Sequence, residues 1–189
     1  MNTNIKIGET LFPCFLKLDV FRFIDALIHT SLKETILDGW VHCLQKYNLR
    51  IHGWIVLSGG VKLIISSDDP ALAIEDVVDC FMSYTDKKLI QKISQFKNET
   101  KRKWMLQLFE NNRRNQRLLF WHSRYTLEKI ETTDRFLDYL NDIHEGPVRN
   151  GMVWDAQQYM YSSAIDYFQK EQGLLPVVRL DHEDVFSKY

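Results

Sequence analysis

Residues 49–66, LRIHGWIVLSGGVKLIIS, decide the fold. From residue 49 to 57 the side chains alternate as in a half-buried strand. Leu49, Ile51, Gly53, Ile55 and Leu57 are expected on one face, and Arg50, His52, Trp54 and Val56 on the other. Ser58-Gly59-Gly60 interrupts the run, and Val61-Lys62-Leu63-Ile64-Ile65 resumes it. Two apolar runs joined through Gly-Gly predict a hairpin, because glycine accepts the positive φ of tight primed turns. Gly60, Lys62 and Ile64 then share a face of the second strand. A lone ammonium in an apolar strand reads either as a solvent-facing edge lysine or as a residue of a site.

The 189 residues suit a single domain, and 45% hydrophobic with 13% aromatic content supplies a sizeable core. No apolar run approaches the roughly 20 residues of a membrane span. The start, MNTNIKIGET, lacks the charged-then-apolar pattern of a signal peptide. Cys14, Cys43 and Cys80 have no CxxC spacing, which predicts reduced thiols in a cytoplasmic protein and neither a disulfide framework nor a zinc site. The net charge of −1 is unevenly spread. Residues 97–130 hold 9 basic and 3 acidic side chains, whereas residues 131–189 hold 5 and 11. The basic middle is either an electrostatic footprint for a polyanion or a solvated helix face.

Residues 10–18 read as a strand, with Pro13 arguing for an edge or an early irregularity. Asp19 is a candidate cap for a helix over 20–46, with Phe23, Leu27, Ile28, Leu32, Ile36, Trp40 and Leu44 at helical spacing. After the hairpin a second helix spans about 71–93. The resulting β-α-β-β-α order belongs to split βαβ, ferredoxin-like α+β sheets with helices packed on them. A short helix over 100–112 is expected to turn Trp104, Leu108 and Met105 inward. Residues 111–117 form a basic loop, 118–121 an apolar anchor and 124–130 another strand. A helix over 134–143 is capped at Thr132, Thr133 or Asp134 and ended by Pro147 and Gly151. Further C-terminal helix lies within 156–169, and 173–180 is extended.

In this order, residues 9–180 resemble the REP-associated tyrosine transposases, single-strand DNA transposases of the HUH type. The resemblance rests on the hairpin LRIHGWIVLSGGVKLII, on DCFMSYTDKKLI (79–90), KRKWMLQLFE (101–110), LLFWHSRYTLEKI (118–130), LNDIHEGPVRNGMV (140–153) and QQYMYSSAIDY (157–167). It implies a His-hydrophobic-His pair on the sheet, which holds Mg or Mn as a Lewis acid on the scissile phosphate. It also implies a helix tyrosine that forms a 5′-phosphotyrosine intermediate.

Aligned residue by residue, the two histidine positions are Gly60 and Lys62, the tyrosine position is Asp142, and a further polar ligand position is Gly146. Glycine offers no ligand atom, lysine is a cation at neutral pH and aspartate is a poor substitute for a phenolate. No catalytic residue, metal ligand or cofactor is therefore expected. Lys62 and Asp142 carry opposite charges and are expected within roughly 4–6 Å of each other. Tyr139, one helical turn earlier, is a weak candidate for a displaced nucleophile; His52 and His144 read as structural.

Three functions compete. The first is a transposase relative without catalysis that still binds hairpin or single-stranded DNA through Lys97, Lys101, Arg102, Lys103, Arg113, Arg114 and Arg117. The second is a protein-interaction module or homodimer that has lost DNA, which the acidic C-terminal third favours. The third is an enzyme with a rearranged site.

Overall fold

The structure is a computed structural model that describes residues 13–114, 117–169 and 172–179. In chain order it places β1 (Cys14–Asp19), α1 (Thr30–Lys46), β2 (Leu49–Leu57), β3 (Gly60–Ser67), α2 (Ile74–Ser94) and α3 (Glu99–Glu110). β4 (Arg113–Arg114), β5 (Arg117–Leu118), β6 (Thr126–Lys129), α4 (Thr133–Arg149) and α5 (Ala164–Phe168) follow. The main sheet is antiparallel in the order β2-β3-β1-β6. Two interleaved β-α-β units give this order, so the α+β ferredoxin-like expectation holds. β4 and β5 form a separate small hairpin inserted ahead of β6.

The sheet buries both faces. On one side α1 and α2 cover Leu16, Leu18, Val61, Leu63 and Ile65 with Leu32, Ile36, Trp40, Val77, Phe81 and Leu89. The two helices approach closely because Gly39 has no side chain: a Cβ there would lie 2.5 Å from Thr85 Cγ2. Trp40 and Phe81 stack beside it at 4.0 Å. On the other side α4 sets Phe136, Leu140 and Ile143 against Phe15, Ile55 and Ile64. Burial of this kind stabilises by about 25 cal/mol per Å² of apolar surface.

Several local expectations change. β2 does not alternate strictly: its register with β3 shifts between Ile51 and Gly53. The extra residue, His52, makes a bulge. Leu49, Ile51, Trp54 and Val56 therefore all reach the α1/α2 core, while Ile55 and Leu57 face α4. The hairpin turn uses no positive φ at Gly59 or Gly60; among the described glycines that conformation belongs to Gly151. β1 is central, not an edge, because Pro13 precedes the strand and offers its carbonyl to Ile130 N at 2.8 Å.

The helix after β1 starts at Thr30, and two 3₁₀ turns (Phe21–Phe23 and Ala26–Ile28) fill the gap. Asp19 stays in β1, paired with Lys17 at 3.1 Å, and caps nothing. Phe23 and Ile28 are exposed. On α3 the inward stripe is Met105 and Phe109, and Trp104 points to solvent. α4 continues through Pro147 to Arg149. Residues 10–12 of the expected first strand and Leu180 lie outside the described residues.

A strand-helix cleft and a basic surface as candidate functional site

α4 crosses the face of the sheet that carries the even-numbered side chains of β3. Its N-terminus is fixed by Thr132, whose hydroxyl accepts from Arg135 N at 3.3 Å. Its apolar stripe fixes the rotation. Asp142 sits beside buried Ile143, at the rim of that stripe. Lys62 Nζ lies 2.5 Å from Asp142 Oδ2, closer than the sequence suggested. Arg149, two turns further along α4, donates to the other oxygen, Oδ1, at 2.7 Å. One carboxylate thus serves two cations. Lys17, directly across from Lys62 on β1, is neutralised separately by Asp19. The cleft is a closed set of ion pairs.

Gly60 and Gly146 differ in kind. A Cβ on Gly60 would fall 2.4 Å from the Leu18 carbonyl oxygen and 3.2 Å from Asp19 Cα. The β1 main chain occupies the space in which any side chain at position 60 would begin. A Cβ on Gly146 meets nothing within 4 Å. The residues at these positions do not fit a divalent cation: one strand position has no room for a ligand, and the next presents an ammonium already bound to Asp142. Among the described residues there is also no group of three or more His, Cys, Asp or Glu arranged to hold a metal.

Tyr139 is engaged through both its ring and its hydroxyl. Its ring stacks on Phe15 at 3.9 Å, and its hydroxyl donates to Glu128. Burial, and then the Glu128 carboxylate, push its phenol above the usual range. Activation would require the opposite shift. His52 is enclosed between the Val178 carbonyl, 2.8 Å from Nδ1, and Ser66 Oγ, 2.7 Å from Nε2. His144 Nε2 meets Ser163 Oγ at 2.9 Å. Burial pushes both rings down to about 4, so they are neutral structural groups.

The seven basic candidates spread over two neighbouring elements. Lys97 is exposed just before α3, and Lys101 and Arg102 are half-buried in its first turns. Arg102 is held by the Phe96 carbonyl at 2.9 Å and Lys103 by Glu99 at 2.6 Å. Arg113 is paired with Glu110 at 3.1 Å. Arg114 and Arg117 face each other across the β4–β5 hairpin and are exposed. Both line a cleft of about 440 Å³ against α2. Arg117 also lines a larger cleft, about 770 Å³, together with Lys87, Ser83 and Gln91. Lys87 is an addition to the basic rim that the sequence signals only through the DKK run of the α2 segment. Arg149 is a second addition, and it has no such signal: its place beside Asp142 depends on α4 continuing through Pro147.

The sequence matches no protein-family model and no curated protein. The solved structures do give matches. A REP-associated tyrosine transposase bound to a REP hairpin superposes with a TM-score of 0.61 and 14% identity, covering 93% of this chain and 88% of that one.

The chain has the fold of a REP-associated tyrosine transposase.

A proposed transposase from Deinococcus radiodurans is also similar, with a TM-score of 0.44, 15% identity, and 76% and 98% of the two chains covered. Among the described residues no helix is long and apolar enough to cross a membrane.

Proposed function

We propose that this protein is a DNA-binding relative of the REP-associated tyrosine transposases that no longer cleaves DNA. The observation that carries the reading is the strand–helix cleft. Lys62 and Arg149 share the single Asp142 carboxylate where the resemblance expects a histidine and a tyrosine. At the first histidine position the β1 main chain fills the space beside Gly60. In contrast, Arg114 and Arg117 remain exposed beside α2, and Trp104 stands in solvent on α3 among Lys101, Arg102 and Lys103. Guanidinium groups suit phosphate, and an exposed indole suits an unpaired base.

The test is binding of a labelled DNA hairpin with a single-stranded flank, titrated across salt with and without Mg²⁺ or Mn²⁺. Salt-sensitive binding with no covalent protein–DNA product is expected. A covalent product on a denaturing gel, or no binding at low salt, would overturn one or the other half of the reading.

A second reading, a protein-interaction module, is favoured by the segment after α4. Trp154 there is 91% exposed, with Met152 and Met160 also exposed nearby in the chain. A homodimer through the β2 edge is disfavoured, because residues 161–163 and Val178 of the same chain already hydrogen-bond along that edge.

A further inference from the structure

Asp86, Lys87 and Ile90 lie on one face of α2. With Arg117, Leu118 and Leu119 they line the cleft of about 770 Å³, a volume within the roughly 300–1,000 Å³ of small-ligand sites. Asp86 is its buried member, only 8% exposed. Its Oδ1 accepts from Phe120 N at 2.7 Å and from Trp121 N at 3.3 Å, which fixes that segment against α2. This structural duty occupies one oxygen. Among the described residues Oδ2 has no hydrogen-bond partner, and Asp86 lines the cleft. Burial pushes the carboxyl up to about 6, so at pH 8 it is ionised and can only accept. Lys87 and Arg117 are exposed and, among the described residues, stand outside the ion pairs. Asp79 lines the adjoining cleft of about 440 Å³ and not this one. The cleft thus combines one acceptor, three half-buried apolar side chains and two cations.

We propose that this cleft holds an unpaired guanine of the bound strand, with Asp86 Oδ2 accepting from its N1–H and N2–H groups. A carboxylate needs an edge that donates. Guanine, alone among the DNA bases, sets two N–H groups side by side. Adenine and cytosine place an acceptor ring nitrogen beside the amino group, and thymine flanks its single N–H with two carbonyls. Each of those edges aims a lone pair at the carboxylate. The faces of the base meet Ile90, Leu118 and Leu119, and Lys87 and Arg117 take the neighbouring phosphates. The pocket rests on the DNA-binding reading above and adds a base preference to it.

The experiment measures fluorescence anisotropy of the full chain at pH 8 on hairpins whose thymine flank carries one guanine or none. The guanine flank should bind about tenfold more tightly, the discrimination that a pair of base-edge hydrogen bonds supplies. Inosine, which lacks the N2 amine, should lose most of that gain. Asp86→Asn keeps an oxygen for Phe120 N and Trp121 N, so it should bind the thymine flank as the parent does and show no guanine preference. 6-Thioguanine in place of the guanine should cross-link under ultraviolet light to a peptide spanning 83–94 or 117–119. If Asp86→Asn loses the parent's circular dichroism spectrum, the cross-link map decides. A parent that binds both flanks equally, an Asp86→Asn that keeps the preference, or cross-links elsewhere overturns the pocket alone. A parent that binds neither flank at low salt overturns the DNA-binding reading and the pocket with it.

Discussion

Asp142 and Lys62 are not equivalent halves of one ion pair. Removing Lys62 leaves Asp142 still bound by Arg149. Removing the Asp142 charge strands Lys62, whose side chain is only 21% exposed, opposite Lys17 on the neighbouring strand. Like charges directly across a strand pair repel, and an unpaired half-buried cation lacks full hydration. Asp142→Asn should therefore lower unfolding stability by about 1–3 kcal/mol and Lys62→Met by about 1 kcal/mol or less. Urea melts of the two variants decide it; equal losses would mean that Arg149 does not hold the carboxylate. Gly60 sets a second residue-scale expectation. Restoring the histidines and tyrosine as Gly60→His, Lys62→His and Asp142→Tyr together should not create a Mn²⁺ site, because position 60 has no room beside Leu18. Tight Mn²⁺ binding in titration calorimetry would show that β1 yields. The Lys62–Asp142 pair is legible in the sequence once the segments are aligned. The closure at Gly60 is not, since it depends on how near the β1 main chain runs, which no residue of the hairpin encodes.

The segment after α4 acts as a strap along the open edge of β2. Val56 N donates to the Tyr161 carbonyl and Ser163 N to the Trp54 carbonyl, each at 2.9 Å. Ser163 Oγ accepts from Trp54 N at 3.0 Å and hydrogen-bonds His144 Nε2 at 2.9 Å. One buried hydroxyl thus joins strap, sheet and α4. Ser163→Ala would leave a buried amide and a buried imidazole nitrogen without partners, and should cost about 2–4 kcal/mol, measured by urea unfolding. The same junction sets a pH dependence. His52 and His144 are held at about 4 in the fold, against an ordinary value near 6.5. Below about 6.5 the unfolded chain takes up protons that the folded one refuses, so stability is lost as pH falls toward 4. Each ring contributes on the order of 3 kcal/mol. Asp86, raised to about 6 by burial, works the other way and returns about as much as one ring costs. A net loss of about 3 kcal/mol between pH 7 and 4 is expected, and His144→Gln should remove most of it. A flat profile for the parent chain would contradict the burial of the two rings. At this scale the sheet and its helices are readable from apolar spacing. The His52 bulge is not, because it inserts one residue without breaking the apolar run. The strap is not, because its partners are main-chain groups, which carry no sequence signal.

The whole molecule separates its charges by face and by segment. On the sheet face under α4, Lys62 and Arg149 share Asp142 and Lys17 is held by Asp19, and the β2 edge is bonded along by its own chain. The surface proposed for a polyanion is the side where α2 and the β4–β5 hairpin meet, with Lys87, Arg114 and Arg117 along two adjoining clefts that Asp79 and Asp86 also line. Lys103 and Arg113 are already paired with Glu99 and Glu110, so they have less charge to offer a phosphate than the sequence count implies. The paired and unpaired cations therefore make different contributions to salt-dependent binding. Deleting one cation that neutralises a phosphate lowers the slope of log K against log salt by about 0.7–0.9. Arg114→Ala with Arg117→Ala should flatten the slope by about 1.5, whereas Lys103→Ala with Glu99→Ala should leave it nearly unchanged. Fluorescence anisotropy on one hairpin substrate measures both. Equal flattening in the two variants would mean that the α3 pair opens to grip phosphate. An unchanged slope in the arginine variant would move the DNA surface away from this rim, toward the exposed Trp104 and the start of α3.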